Sequence, residues 1–176
     1  MKNYLAIFML SLSGLALSQI SIGKTTVNPS TSLDFGSDNR GMVLSWVDNV
    51  AGVTGAVNGT MVYDLSDKKI KVRYSAAWKD LSVDTGGSTV DPLTNVDGAL
   101  LQNTLSDAAT AKVSVGTPTA TPGILVLEDT TKAMVLPKVD SPHLNINNPA
   151  PGMIVYDVKN KQLAVYNGKF WSFWKQ

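Results

Sequence analysis

The chain has 176 residues, with 15 Lys and Arg against 14 Asp and Glu, a single His and no Cys. The absence of Cys excludes a disulfide framework, a thiolate zinc site and a cysteine nucleophile. A formal charge of +1 argues against an electrostatic nucleic-acid binder, which needs a concentrated basic surface.

The first element in chain order is an address rather than structure. One charge, Lys2, precedes a mostly apolar run from Leu5 to Leu17, which is too short for the roughly 20 residues of a membrane helix. Ala16 and Ser18 are small residues where a signal peptidase reads the chain. The expectation is a signal peptide over 1–18, cleaved to leave Gln19 first. Loss of Lys2 then leaves 14 basic and 14 acidic residues. The expected location is outside the cytoplasm, in the periplasm or at the cell surface, with no membrane span after cleavage.

The remainder repeats itself at an offset of 93 residues, which falls to 92 where one residue is lost and then recovers. Ser21-Ile22-Gly23 returns as Ser114-Val115-Gly116, and Met42-Val43-Leu44 as Met134-Val135-Leu136. Val62-Tyr63-Asp64 returns as Val155-Tyr156-Asp157, and Trp78 as Trp171. Several such groups in one order indicate a repeat architecture. The expected domains are a first β-unit over 19–82, a linker over 83–113 and a second β-unit over 114–176. The fold class is mainly β, a tandem repeat of two short β-meander units.

Each unit ends in a meander. In the first, Met61, Tyr63 and Leu65 alternate with Thr60, Val62 and Asp64; a turn follows at Ser66–Lys68, then Ile70 and Val72 alternate with Lys69, Lys71 and Arg73. That basic stripe reads as the solubilised face of an exposed strand. In the linker, Asp97 is placed to cap a short helix over Ala99–Lys112. In the second unit the strands carry Ile154, Tyr156, Val158 and then Leu163 and Val165, and Asn167-Gly168 is a type I′ turn signal. A unit of this size, without disulfides, is expected to pack on its sister unit or on copies of the chain.

Lys132-Ala133-Met134-Val135-Leu136-Pro137-Lys138-Val139 is followed by Pro151-Gly152-Met153-Ile154-Val155-Tyr156-Asp157, then Leu163, Tyr166, Gly168 and Trp171. With Gln19 through Pro29, these residues resemble the secreted repeat proteins of Bacteroidota-type bacteria, whose units also occur in surface and tail-fibre-like proteins. The first unit departs from the pattern at Ser45-Trp46 and Arg73-Tyr74-Ser75. The resemblance implies a structural or surface role and carries over no catalytic residue.

The expected function is accordingly an exported, non-enzymatic β-repeat protein with a structural or interaction role at the bacterial envelope. The alternative is a carbohydrate-binding module using exposed aromatic rings. Catalytic residues, cofactors and metal ligands are all expected to be none: His143 has no second His or Cys to work with, no nucleophile or phosphate-loop motif occurs, and the Asp91–Gly98 segment lacks a closing Glu for calcium. Tyr63, Trp78, Tyr156 and Trp171 are expected in the structural core of the repeat. Two readings stand for Phe170, Phe173 and Trp174, which replace Ala77, Asp80 and Leu81 of the first unit: a larger core, or contact with a partner. The expected partners are an envelope or surface protein, a glycan or further copies of the chain.

Overall fold

A computed structural model describes residues 19–105 and 111–175. The expected signal peptide, and part of the expected helix, lie outside the described residues. The chain is mainly β, with 14 strands and two short α-helices among the described residues.

β1 (Ile20–Ile22) runs parallel to β2 (Thr31–Phe35), pairing Ile20 with Leu33. A half-buried ion pair holds the loop between them: the Lys24 ammonium lies 2.6 Å from the Asp34 carboxylate. That hydrogen bond, outweighing the opposing effect of burial, keeps the Asp34 carboxyl below the usual carboxylate range. After β3 (Met42–Val43), the short β4 (Trp46–Val47) lies parallel to β5 (Met61–Asp64). β6 (Lys69–Tyr74) and β7 (Ala77–Asp80) complete an antiparallel meander, giving a sheet of order β4-β5-β6-β7.

α1 (Gly98–Gln102) follows a loop. Asp97 caps it by accepting the Ala99 amide, as expected, but the helix ends at Gln102 and Leu100, Leu101 and Leu105 are exposed. With these three leucines in solvent, little burial supports the helix against its nucleation cost.

The second unit repeats the first, strand for strand. β8 (Val113–Gly116) and β9 (Leu125–Glu128) are parallel, like β1 and β2. β10 (Ala133–Val135) is followed by β11 (Lys138–Val139), α2 (Pro142–Asn145) and the meander β12 (Met153–Asp157), β13 (Gln162–Tyr166) and β14 (Trp171–Trp174). The register repeats as well. Trp46 pairs with Tyr63 as Lys138 pairs with Tyr156, and Arg73 with Trp78 as Tyr166 with Trp171. The meanders were legible from alternation. The parallel β4–β5 and β11–β12 pairs were not, because two-residue strands carry no period.

Each unit also buries the Asp at the end of its central strand. Asp64 accepts the Ser66 amide and hydroxyl and, through its other oxygen, the Val50 amide. Asp157, fully buried, accepts the amides of Ser141, Lys159 and Asn160 and the side-chain amides of Asn160 and Gln162. These carboxylates tie the hairpin turn to the segment after the short parallel strand.

The Asn167-Gly168 turn differs from its expected type I′ form. In the last hairpin turn of the second unit Gly168 alone is left-handed, with φ +91°, and the Asn167 amide donates to the Phe170 carbonyl, so Asn167 is a corner residue rather than a central one. A positive φ at a glycine in the first central position is the type II′ pattern. In the first unit Ser75 and Ala76 both have positive φ, 47° and 63°, the I′ arrangement without a glycine. A left-handed residue with a Cβ is strained by roughly 1–2 kcal/mol. Ala76→Gly should therefore raise stability by about 1 kcal/mol, read as a higher urea midpoint at unchanged m-value.

The basic stripe also differs from expectation. Lys71 lies 3.0 Å from Asp80 and is bridged to Asp67, while Lys69 lies 2.8 Å from Asp80. The lysine side chains are 16% and 11% exposed at 69 and 71, so the stripe is a neutralised ion-pair cluster rather than a charged open face.

Candidate functional site

The two units meet along a seam built by Tyr63. This residue is fully buried, in one apolar cluster with Ile70 and Leu81 from its own unit and Ile154 and Val165 from the second. Its ring lies 5.6 Å from that of Trp46, and its hydroxyl donates to the Asn167 carbonyl at 2.9 Å. Burial pushes the Tyr63 hydroxyl well above its ordinary pKa, keeping it a neutral donor. Trp46 Nε1 donates to the Pro151 carbonyl at 3.0 Å. Between them Gly152 has φ +82°, and a Cβ there would lie 3.1 Å from Tyr63 Cβ, so only glycine allows this approach.

Other elements close the seam. β3 adds to β12 as an antiparallel strand, pairing Met42 with Ile154. The Val83 amide donates to Ser172 Oγ, and Trp174 Nε1 donates to the Leu81 carbonyl. The segment after the first unit crosses to the second, where the Asn167 side chain donates to the Asp84 carbonyl and the Ser88 amide donates to the Asn167 carbonyl. A second apolar cluster, Val139, Ile146, Met153, Val155 and Ala164, lies in the second unit alone, with Tyr166 and Trp171 packed against it. Its sheet is therefore covered on both faces.

Of the residues expected in the repeat core, Tyr63 is buried, while Trp78 and Trp171 are half-buried. Tyr156 is 36% exposed. This corrects its placement: it holds the same register position as Tyr63, but no third unit covers it. Of the candidate contact residues, Phe170 and Phe173 are 40% and 37% exposed. Trp174 instead turns toward the shared cluster, with its indole nitrogen satisfied. Phe173 stacks near Trp171 at 6.4 Å and lies T-shaped to His143 at 5.6 Å. Trp46, Gly152 and Asn167 were missed as seam residues. The repeated glycine at 59 and 152 was the one available signal.

Among the described residues no group of three or more His, Cys, Asp or Glu is gathered to hold a metal. A cavity of about 580 Å³ is lined by Val50, Val53, Ala56, Trp78 and Arg73. Three rings carry a cation: Arg73 lies over Trp78, Lys79 over Trp174 and Lys169 over Phe170. No helix among the described residues is long and apolar enough to cross a membrane.

Phe173→Asp copies the first unit at Asp80, but without the lysine partners, since Ala164 faces it where Lys71 faces Asp80. An exposed ring is replaced, so the thermal melt should stay within about 1 kcal/mol of the parent. Association measured by size exclusion should weaken.

Compared with known proteins, residues 114–175 match the family described as a phage tail like trimerisation region. No curated protein and no solved structure matches the chain.

Proposed function

We propose that this chain is an exported, non-enzymatic structural protein that self-assembles into a homotrimer, as a tail-fibre-like element at the bacterial envelope or surface. The observation that carries the reading is the match of 114–175 to a trimerisation region, in a chain whose first unit has the same strand order and register. Apolar side chains that stay exposed on the single chain support it: Tyr156, Val158, Phe170 and Phe173 all remain exposed on the matched unit, with Tyr156 and Phe173 on opposite faces of its sheet. The apolar N-terminal run and the small residues at 16 and 18 support export, with Gln19 first after cleavage.

Sedimentation equilibrium of the purified chain tests the assembly. The expected result is a single species of three times the chain mass at micromolar concentration. A single-chain mass throughout the concentration range would overturn the proposal.

A further inference from the structure

The seam inside the chain has an unused copy on its outside. The second unit grips Tyr63 and its neighbours through Pro151, Gly152, Val165, Asn167, Ser172 and Trp174. At the repeat-equivalent positions the first unit has Asn58, Gly59, Val72, Tyr74, Lys79 and Leu81. Those six residues line one cavity of about 300 Å³, open to solvent. The first unit thus has a second socket, whose base of Val72 and Leu81 also packs into the internal cluster, and the second has the matching plug, Tyr156, exposed where Tyr63 is buried.

We infer that Tyr156 of one copy enters the cavity at Asn58, Gly59 and Tyr74 of the next, repeating between chains the contact that Tyr63 makes within one. The donor chemistry survives the sequence differences. Tyr63 and Trp46 donate to backbone carbonyls, those of Asn167 and Pro151, and every residue supplies a backbone carbonyl whatever its side chain. Tyr156 can therefore donate to the carbonyl of Tyr74. Lys138, exposed at the Trp46 position, is also a donor and faces the carbonyl of Asn58. Gly59 leaves the approach open: a Cβ built there meets nothing within 4 Å. The strand addition of β3 to β12 is not repeated, because Met134 and Val135, which would make it, already pair with β2.

Such a contact is heterologous, joining different faces of two copies, and must either close into a ring or run on as a filament. The inference rests on the homotrimer reading for closure: three copies would give six units, with internal and external seams alternating.

The chain has no Cys, so introduced thiols report without background. Lys138→Cys with Asn58→Cys in one chain, treated with a short bis-maleimide, should give covalently linked dimers and trimers on a denaturing gel, ending at three. Adding Tyr156→Glu should abolish the linked bands while leaving the circular dichroism of the chain intact. A chain that sediments as a trimer but gives no intermolecular link overturns the plug and leaves the trimer reading standing. Linked ladders running past three support the plug and overturn the trimer. An unlinked single-chain species overturns both.

Discussion

Tyr63→Ala should cost about 3–5 kcal/mol, the range for emptying a large aromatic site that its surroundings cannot fill. The ring is fully buried between the units, against Trp46, Ile154 and Val165, with Gly152 close beside it. A domain of this kind has a total stability of roughly 5–15 kcal/mol, so the variant should be largely unfolded under mild heating. Tyr63→Phe separates the ring from the hydroxyl. It removes only the bond to the Asn167 carbonyl and should cost about 1 kcal/mol. Urea melts on both variants test this. Equal losses would mean that the hydroxyl, not the packing of the seam, carries the energy. Tyr156→Ala, at the same register position but exposed, should leave the melt of dilute chain near the parent.

Asp157→Ala should be the second large loss, about 3 kcal/mol. It strands the buried Ser141 amide and releases the Lys159 and Asn160 amides that close the hairpin turn. The same carboxylate sets a pH dependence. Burial raises its pKa, but the hydrogen bonds from Asn160, Gln162 and Ser141 outweigh burial and hold it below the usual carboxylate range. The unfolded chain therefore takes up the proton first. The stabilisation is fully present above the ordinary carboxylate value and is lost as pH falls through the lower folded one. Asp34, lowered by Lys24, adds to the same slope. Stability of the parent should fall as the pH drops below about 4, and Asp157→Asn should flatten that fall. Parallel acid slopes in parent and variant would remove Asp157 from the account.

The sequence carried the repeat because packing positions recur whenever a backbone recurs. Tyr63 and Tyr156, Asp64 and Asp157, and Trp78 and Trp171 each keep their register. Burial did not follow from register. Tyr63 is buried and Tyr156 is not, since coverage depends on which unit lies beyond, and alternation within a strand does not record that. The lysine stripe misled for a related reason: Asp80 neutralises Lys69 and Lys71 from the adjacent strand, and only the β6–β7 register places it there. The exposed aromatics Phe170 and Phe173 were found from what they replaced in the first unit. The seam glycine and Asn167 were hidden because their role is played by backbone atoms.

Native mass spectrometry of chains mixed after tagging half of them, then unfolded and refolded together, counts the copies directly. A homotrimer predicts four species differing by one tag each, the tagged and untagged chains assorting in all combinations. Two species at the masses of the separate chains, with no mixed assembly, would contradict self-assembly.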